Sequence, residues 1–442
     1  MVVLLPFFSH ALTSKTSNMI HGNAPYLTFD GGRTRVIDVN GLLGITLSDG
    51  RHYTPSTNTS STTPIVLPVA GQSFADISMF VPTDTNSVDL SSLIGPPNNY
   101  WGDDDGDSDV TVTGSLSLSI VDKYSQSVSR STVPEICKAP YKVTLSSTNG
   151  TLATRYGVPS SSTFNASSVA YYVNPKATPV VCFVRPDLTY ASGNYAGPSW
   201  MWDPLDGFLP QSTSPSSYGS NFPTTGLNGL YFDLLFGGVD QSLSWSSVSQ
   251  GGITATMTNS TATSVRVTLS GPYATESQHN SVNPGLISKP ILPQTYELVG
   301  RDGQGNPVVK YGFTLKQWFV NRGTVRNAYS NTLSWCNSIG YRLSDVKDLT
   351  NASCRGNNSG NWCQDSVGAN PSSPNNLYQR HIGAGFFTEW GRMSYYSSIG
   401  FPYDWYWTSD PFGSGQFIVR TDDGYVNWDY SYNNYYGLCT YP

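Results

Sequence analysis

The chain has 442 residues, of which 12% are charged and 13% are aromatic, and its formal net charge at pH 7 is −6. The length predicts two to four domains, and the aromatic content excludes a disordered chain because it can support packed cores. The negative charge without a basic cluster argues against a nucleic acid or an anionic membrane as the partner. Abundant Ser, Thr, Asn, Gly, Pro and Tyr indicate an exported, mainly β protein.

Residues 1–11 have the pattern of the end of a secretory signal peptide. An apolar run there precedes a Ser-His-Ala tripeptide that fits a cleavage site. We expect residues 1–22 to be a signal-peptide remnant and leader, with the true start upstream and the mature chain beginning near Leu12. A basic segment is missing, so an apolar N-terminal strand is the alternative. No apolar run is long enough to predict a transmembrane helix.

Residues 23–283 show strand patterns separated by turn residues. Leu116, Leu118 and Ile120 alternate with serines, as expected of a half-buried strand. No part of this region shows helical periodicity. Spaced strands of this kind predict Ig-like β-sandwich modules. The region forms two modules if a boundary lies near residues 185–225.

An acidic stretch over residues 101–109 is the candidate metal site of this region. Alternating aspartates around a glycine resemble calcium loops, because Ca²⁺ binds several hard oxygen ligands and glycine permits the tight turn. No Glu occupies the last position of an EF-hand loop, and a solvated, self-repelling loop is the alternative. Ca²⁺ is therefore the candidate cofactor, although the predicted function requires none. The candidate ligands are Asp103, Asp105, Asp107 and Asp109.

A short aromatic segment in the same region contains Trp200 and Trp202, followed by Asp203 and Pro204. Exposed tryptophans are typical of contact sites, so both indole rings are candidate binding residues. The alternative is that this segment closes the end of a sandwich, with its rings in the core.

Three prolines mark the clearest boundary of the chain, a linker predicted at residues 284–293. Residues 294–442 then predict an α+β domain. Two short amphipathic helices are expected at about 326–339 and 344–351. Gly340 is placed to end the first of them. A Trp-rich set of strands follows near the end of the chain.

Six cysteines occur, none in a CxxC pair, and histidines are too rare to complete a zinc site. An even number of cysteines in an exported composition predicts disulfides. Position narrows the possible connectivities, because two cysteines lie alone in the first half and two others flank a small loop. The predicted disulfides are Cys137–Cys182, Cys354–Cys363 and Cys336–Cys439.

Aromatic residues are unusually dense near the end of the chain. The run of tyrosines and asparagines over residues 429–436 is expected in a loop and carries little charge. Tyrosine provides a large contact area at low entropy cost, so this composition is typical of binding interfaces. Incidental surface aromatics are the alternative. The candidate binding residues are Trp428, Tyr430, Tyr432, Tyr435 and Tyr436.

The stretch AYSNTLSWCNSIGYRLSDVKDL, residues 328–349, resembles the helix-pair signature of C-type-lectin-like domains. The stretch YWTS at 406–409 resembles the Trp-rich central strand of that fold. Domains of this kind cap invasin and intimin, bacterial adhesins in which they stack on Ig-like β-sandwiches. The tripeptides with which sugar-binding members hold Ca²⁺ are absent from this domain. The resemblance therefore implies a binding surface, but not calcium-dependent sugar binding at that site.

Longer stretches are similar to an enterobacterial family of secreted, adhesin-like exoproteins of the ZirS type, which are exported with an intimin-like outer-membrane partner. The similarity is collinear over most of residues 23–442. It implies secretion, surface exposure and adhesion-like binding, and it suggests no catalytic residues. The stretches that carry it are residues 23–43, 81–94, 98–107, 136–159, 292–313 and 380–391.

These observations predict a mainly β protein, with Ig-like β-sandwich modules followed by a C-terminal α+β C-type-lectin-like domain. We expect a secreted, monomeric, adhesin-like binding protein with a role in virulence, and not an enzyme. Its partner would be a protein or glycan on a host or bacterial surface, bound through the lectin-like tip. One alternative is a regulatory exoprotein that engages its own intimin-like outer-membrane transporter. Another is an enzyme of the formylglycine-generating fold, which needs a cysteine pair free of structural disulfides.

Overall fold

The computed structural model describes residues 22–442, which fold into two compact units. Unit 1 is the described part of Met1–Ala177, and unit 2 is Thr178–Pro442. The predicted signal-peptide remnant lies outside the described residues except for Gly22. The fold is mainly β, which confirms the predicted class. In the part of the chain that the structure describes, no helix has the length and apolar character needed to cross a bilayer.

Unit 1 consists mostly of short strands, with a helix α1 (Leu90–Ile94) and 3-10 turns at Asn40–Leu42, Phe74–Asp76 and Ile136–Lys138. Its strands are β1 (Tyr26–Leu27), β2 (Ile45–Thr46), β3 (His52–Tyr53), β4 (Ile65–Val66), β5 (Ser87–Asp89), β6 (Trp101–Gly102), β7 (Thr111–Val112), β8 (Ser115–Val121), β9 (Tyr141–Ser147), β10 (Gly150–Ala153), β11 (Ser161–Phe164) and β12 (Ser168–Asn174).

The largest sheet of unit 1 has the strand order β4-β12-β9-β8-β5. Its pairs are antiparallel except β12 with β4, which is parallel. A second sheet has the order β11-β10-β7. The alternation predicted for β8 is confirmed, because Leu116, Leu118 and Ile120 are buried while the serines between them are exposed. These leucines join Leu152 and Phe164 of the second sheet in one apolar core.

Unit 2 contains the remaining strands and four short helices among its described elements. The helices are α2 (Glu276–Asn280), α3 (Tyr329–Ser338), α4 (Val346–Leu349) and α5 (Phe386–Trp390), with 3-10 turns at Gly193–Tyr195, Pro215–Ser220, Met393–Tyr395 and Ser397–Ile399. The strands are β13 (Val180–Arg185), β14 (Trp202–Asp203), β15 (Gly207–Phe208), β16 (Thr225–Leu227), β17 (Tyr231–Gly237), β18 (Ser244–Trp245), β19 (Val248–Gln250), β20 (Ile253–Thr258), β21 (Ser264–Ser270), β22 (Gln294–Arg301), β23 (Pro307–Leu315), β24 (Gln317–Asn321), β25 (Arg342–Leu343), β26 (Trp405–Phe412), β27 (Gly415–Arg420), β28 (Val426–Tyr430) and β29 (Leu438–Tyr441).

The strands of unit 2 form four sheets. The largest has the order β14-β15-β13-β17-β21-β20-β19, and the others are β16-β24-β29-β25, β18-β22-β23 and β26-β27-β28. In the second of these sheets β16 pairs with β24 in parallel, and β29 lies between β24 and β25. The strand nearest the end of the chain is therefore an interior strand of its sheet.

The segment predicted as a linker, residues 284–293, is bound to its surroundings within unit 2. The backbone N–H of Ile287 donates to the carbonyl of Ile339 at 3.0 Å, and the N–H of Ile291 donates to that of Gly251 at 2.8 Å. Its prolines therefore interrupt regular structure without releasing the chain from the protein, because an irregular segment still satisfies its backbone groups by packing.

One apolar core runs through unit 2 on both sides of that segment, from Val184 to Cys439. The prediction divided the chain at 284–293 and placed a possible module boundary near 185–225. The compact units instead meet between Ala177 and Thr178. Composition indicates where regular strands stop, whereas a domain boundary depends on which residues share a core.

The two helices predicted near the lectin-like signature are present as α3 and α4, and Gly340 follows α3 with φ of +83°. A disulfide joins Cys336 of α3 to Cys439 of β29. A second disulfide joins Cys354 and Cys363. Cys137 and Cys182 are also disulfide-bonded, so no cysteine of the described chain is free.

Candidate functional site

A row of aromatic rings leads from the core of unit 2 to its surface along the sheet β26-β27-β28. The Phe412 ring lies 5.1 Å from the buried Phe417 ring and 5.0 Å from the Trp428 ring. Trp428 meets Tyr430 edge-on at 5.3 Å, and Tyr430 stacks on Tyr432 at 5.3 Å with the ring planes 6° apart. We name Phe412, Trp428, Tyr430 and Tyr432 the aromatic edge.

Exposure increases along the aromatic edge. Phe412 and Trp428 are half-buried, Tyr430 is 43% exposed and Tyr432 is 72% exposed. Tyr432 stacks on Tyr430, and Tyr430 in turn packs on Trp428, so the two outer rings support each other in the absence of a partner. Large amphipathic rings that are ordered in advance lose little conformational entropy on binding. The aromatic edge therefore has the properties of an interface anchor.

Tyr435 secures the loop that follows the aromatic edge. Its hydroxyl donates to the Asp429 carboxylate at 2.5 Å, and its ring meets Trp407 at 5.0 Å. Burial, together with this hydrogen bond, raises the pKa of Tyr435 to about 12. Burial opposes ionisation of Asp429, but the hydrogen bonds from Tyr435 and Asn433 outweigh it and lower the pKa of Asp429. The hydroxyl and the carboxylate therefore stay paired at neutral pH.

Tyr436 lies in the core, which corrects its prediction as a contact residue. It is 8% exposed, and its ring stacks on Tyr406 at 5.4 Å. Of the five rings predicted at this end of the chain, Tyr430 and Tyr432 are exposed, Trp428 and Tyr435 are half-buried, and Tyr436 is buried. The sequence could not separate these roles, because they depend on the partner that each ring meets across the sheet.

Trp200 and Trp202 have opposite environments. Trp200 is 61% exposed and its ring lies edge-on to His381 at 6.3 Å. Trp202 is 2% exposed, donates from Nε1 to the carbonyl of Ala191 at 2.8 Å, and packs on Phe208 at 4.6 Å. The prediction of Trp202 as a contact residue is therefore corrected, whereas Trp200 stays a surface candidate.

The acidic stretch of unit 1 forms a turn that is organised by Asp103. One carboxylate oxygen of Asp103 accepts from the N–H groups of Asp105 at 3.0 Å and Asp107 at 2.9 Å. Asp107 in turn accepts from the N–H of Tyr156 at 3.1 Å. Asp109 is exposed. The alternating aspartates thus stabilise the turn through their own side chains.

The same turn keeps carboxylate oxygens without partners. Asp103 Oδ1 and Asp105 Oδ2 are buried and accept no hydrogen bond. Burial and the neighbouring charges, Asp103 first among them, raise the pKa of Asp105. Across residues 22–442, no three acidic, His or Cys side chains lie close enough together to hold a metal ion. The Ca²⁺ site therefore stays a prediction.

Arg380 and Glu389 are both fully buried and form a network that the sequence did not reveal. The Glu389 carboxylate accepts hydrogen bonds from the backbone and hydroxyl groups of Thr224 and Thr225. The Arg380 guanidinium donates to backbone carbonyls, including that of Asp187 at 2.6 Å. Glu389 lies in α5 and Arg380 lies in the segment before it, and both connect this part of the chain to distant segments of unit 2. Their polar atoms are occupied by structural contacts and not directed at solvent.

A cavity of about 370 Å³ lies on the outer face of the largest sheet of unit 2. Charged and aromatic side chains line it, and they come from strands and turns far apart in the chain. Sequence reasoning missed this cavity, because only the register of the strands brings its residues together. The lining consists of Arg185, Pro186, Asp187, Leu188, Thr189, Tyr231, Asp233, Arg266 and Tyr395.

No model of a known protein family matches the chain, and no curated protein matches it. The solved structures to which it is similar include invasin and intimin. Invasin, a bacterial integrin-binding protein, is 13% identical with a TM-score of 0.36, over 78% of this chain and 53% of that one. The chain thus spans about half the length of the invasin structure that it matches.

Two further structures show the range of the comparison. The C-terminal 282-residue fragment of intimin, solved with the intimin-binding domain of the translocated intimin receptor, is 11% identical with a TM-score of 0.33, over 69% of this chain and 95% of that one. The Bacteroides ovatus protein SGBP-B, solved with a mixed-linkage heptasaccharide, is 12% identical with a TM-score of 0.15, over 60% and 72%. None of these likenesses assigns a ligand to this chain.

Proposed function

We propose that this protein is an adhesin-like binding protein that recognises a protein or glycan on a cell surface through the aromatic edge. The observation that carries the proposal is the stacked, exposed pair Tyr430 and Tyr432, which rests on a continuous row of rings from the core. A few aromatic anchors typically supply most of the binding energy of an interface. This pair provides such anchors, with Tyr430 at the end of β28 and Tyr432 in the turn that follows.

The surrounding frame supports a C-type-lectin-like tip. The helices α3 and α4, the disulfide from α3 to β29 and the three-stranded meander β26-β27-β28 follow the layout that the resemblance implies. Disulfides at all described cysteines favour an oxidising, extracellular environment. The alternative of a formylglycine-generating enzyme requires a pair of free cysteines, and the described part of the chain has none. We therefore favour binding over catalysis.

The test compares the unmodified protein with the double variant Tyr430→Ser, Tyr432→Ser. Loss of a central aromatic anchor typically costs about 2 kcal/mol, which corresponds to about thirtyfold weaker binding. Binding is measured on host cells and on outer-membrane vesicles of the producing bacterium. Preference for host cells supports an adhesin, and preference for the vesicles supports the alternative of a regulatory exoprotein that engages its own transporter.

Two control variants keep this test decisive. Tyr273→Ser changes an isolated tyrosine that is 57% exposed in the same unit, and it should bind normally. Tyr435→Ala removes the tie to Asp429 and the contact with Trp407, so it should lower the thermal stability of unit 2. Normal binding by the Tyr430 and Tyr432 double variant would refute the aromatic edge as the contact surface.

A further inference from the structure

Three charged residues form a row across the largest sheet of unit 2. Arg185 of β13 is directly opposite Asp233 of β17, which is directly opposite Arg266 of β21. Their neighbours along each strand are core residues, as the buried Val184 and Leu234 show. Since side chains alternate along a strand, the row points to the outer face of the sheet. This face forms the floor of the 370 Å³ cavity.

The charged groups of the row are fixed in position. Arg266 donates from Nε and Nη2 to the two Asp233 oxygens at 2.8 and 3.0 Å. Its guanidinium also lies over the Tyr231 ring, 4.1 Å from the centroid. Arg185 forms an ion pair with Asp206. Paired and stacked side chains of this kind hold their remaining hydrogen-bonding atoms in defined directions.

Hydrogen-bonding capacity remains after these contacts are made. A guanidinium has five N–H donors, and the bidentate pair with Asp233 uses two of those of Arg266. The Nε of Arg185 is buried, so the donors that Arg185 can offer a ligand are those of its terminal NH₂ groups that the ion pair with Asp206 leaves unused. Each oxygen of the Asp233 carboxylate can accept a further hydrogen bond. The floor of the cavity thus presents fixed donors and acceptors side by side, which suits hydroxyl groups because they both donate and accept.

The charges and the wall of the cavity restrict the ligand further. Two arginines and two aspartates line the cavity, Arg185 and Arg266 against Asp187 and Asp233, so their charges balance. A balanced lining favours a neutral ligand over an anion. Tyr395 forms one side of the cavity and is 58% exposed. A flat exposed ring packs well against an apolar C–H face.

We propose that this cavity binds a neutral saccharide of one or two sugar rings. Sugar hydroxyls would bind Arg185, Asp233 and Arg266, and the C–H face of a ring would pack on Tyr395. The cavity volume falls at the lower end of the range of small-ligand sites. This site is separate from the aromatic edge, and the inference does not depend on the function proposed for that edge.

Saturation-transfer NMR on the full chain tests the proposal. The probes are the methyl glycosides of glucose, galactose and mannose, the disaccharide cellobiose, and N-acetylneuraminic acid as an acidic comparison. We expect saturation transfer to at least one neutral sugar. Its affinity should fall at least tenfold in Tyr395→Ala and in Asp233→Asn, and it should not change in Tyr432→Ala, which alters only the aromatic edge.

Three results would overturn the proposal: no transfer to any neutral sugar, transfer to N-acetylneuraminic acid alone, or unchanged affinity in Tyr395→Ala. Asp233 holds Arg266 in place, so thermal unfolding of Asp233→Asn is measured alongside. If that variant unfolds, the affinity of Tyr395→Ala still tests the proposal, because the exposed ring of Tyr395 can be removed without opening the core. Loss of surface binding in the aromatic-edge variants with sugar binding intact would show the two sites to be independent.

Discussion

Glu389 shows how a single buried ion shapes unit 2. Burial raises the pKa of its carboxyl, while hydrogen bonds from Thr225, Gly383 and Thr224 act in the opposite direction. Removing a buried charge from its partners leaves several donors unsatisfied, and each unsatisfied group is costly. The threonine partners of Glu389 are Thr224 and Thr225, which lie 165 and 164 residues away along the chain, so no local pattern could reveal them.

We predict that Glu389→Gln lowers the free energy of unfolding by about 3 kcal/mol or more. The amide would place its own N–H donors against the N–H donors of Thr224 or Thr225, so hydrogen bonds are lost whichever way it turns. Chemical denaturation measures the change. Glu276→Gln, at an exposed position of α2, is the matched control and should shift stability by less than about 0.5 kcal/mol. Equal stability of the two variants would contradict the structural role of Glu389.

At the scale of elements, the sequence predicted a strand or helix correctly where the periodicity of its own residues indicates that element. The alternation in β8, the helices α3 and α4 and the glycine after α3 follow from periodicity and capping, and the structure confirms them. The sequence predicted a Trp-rich set of strands near the end of the chain, but it did not predict which of the aromatic rings face solvent. Exposure of the rings from 428 to 436 depends on strand register and on contacts with Trp407 and Tyr406, which are long-range.

The two disulfides described for unit 2 should differ in their effect on stability. The chain-entropy model assigns more stabilisation to the longer loop, about 4–5 kcal/mol for the separation of 103 residues between Cys336 and Cys439. The separation of 9 residues between Cys354 and Cys363 gives about 2–3 kcal/mol. We therefore expect the paired alanine variant of the first disulfide to unfold at a lower denaturant concentration. Equal midpoints for the two paired variants would refute this order.

The acidic turn of unit 1 leads to a prediction about calcium. A cation would neutralise the unpaired oxygens of Asp103 and Asp105 and stabilise the folded state by mass action. We expect Ca²⁺ to raise the melting temperature of the protein and EDTA to reverse the rise. The double variant Asp103→Asn, Asp105→Asn should lose the effect, whereas Asp84→Asn, an exposed position of unit 1, should keep it. A shift that survives in the double variant would remove this site.

At the scale of the whole molecule, the sequence predicted the class of fold but not the division of the chain. Residues 178–283 and 294–442 share one core, and β16 of the first segment pairs with β24 of the second. Prolines and polar residues mark the segment between them, yet its backbone is hydrogen-bonded on both sides. The sequence could not predict the cavity either, because its row of charged residues depends on the register of three strands.

This shared core predicts how fragments behave. A chain of residues 294–442 lacks β16 and the two threonines that donate hydrogen bonds to Glu389. We therefore expect it to show no cooperative thermal transition. A chain of residues 178–442 that carries Cys182→Ser should unfold in one cooperative transition. Circular dichroism during heating distinguishes them. Cooperative unfolding of the shorter chain would show that the lectin-like region is an independent domain after all.

The position of β29 has a consequence for the order of events when the protein is made. β29 lies between β24 and β25, and its Cys439 is the only partner of Cys336 in α3. The sheet therefore cannot close until residues 438–441 have emerged from the ribosome. Contacts between distant parts of a chain form late and slowly. The four-stranded sheet of unit 2 and the disulfide to α3 therefore form only after the segment that contains β29 is available.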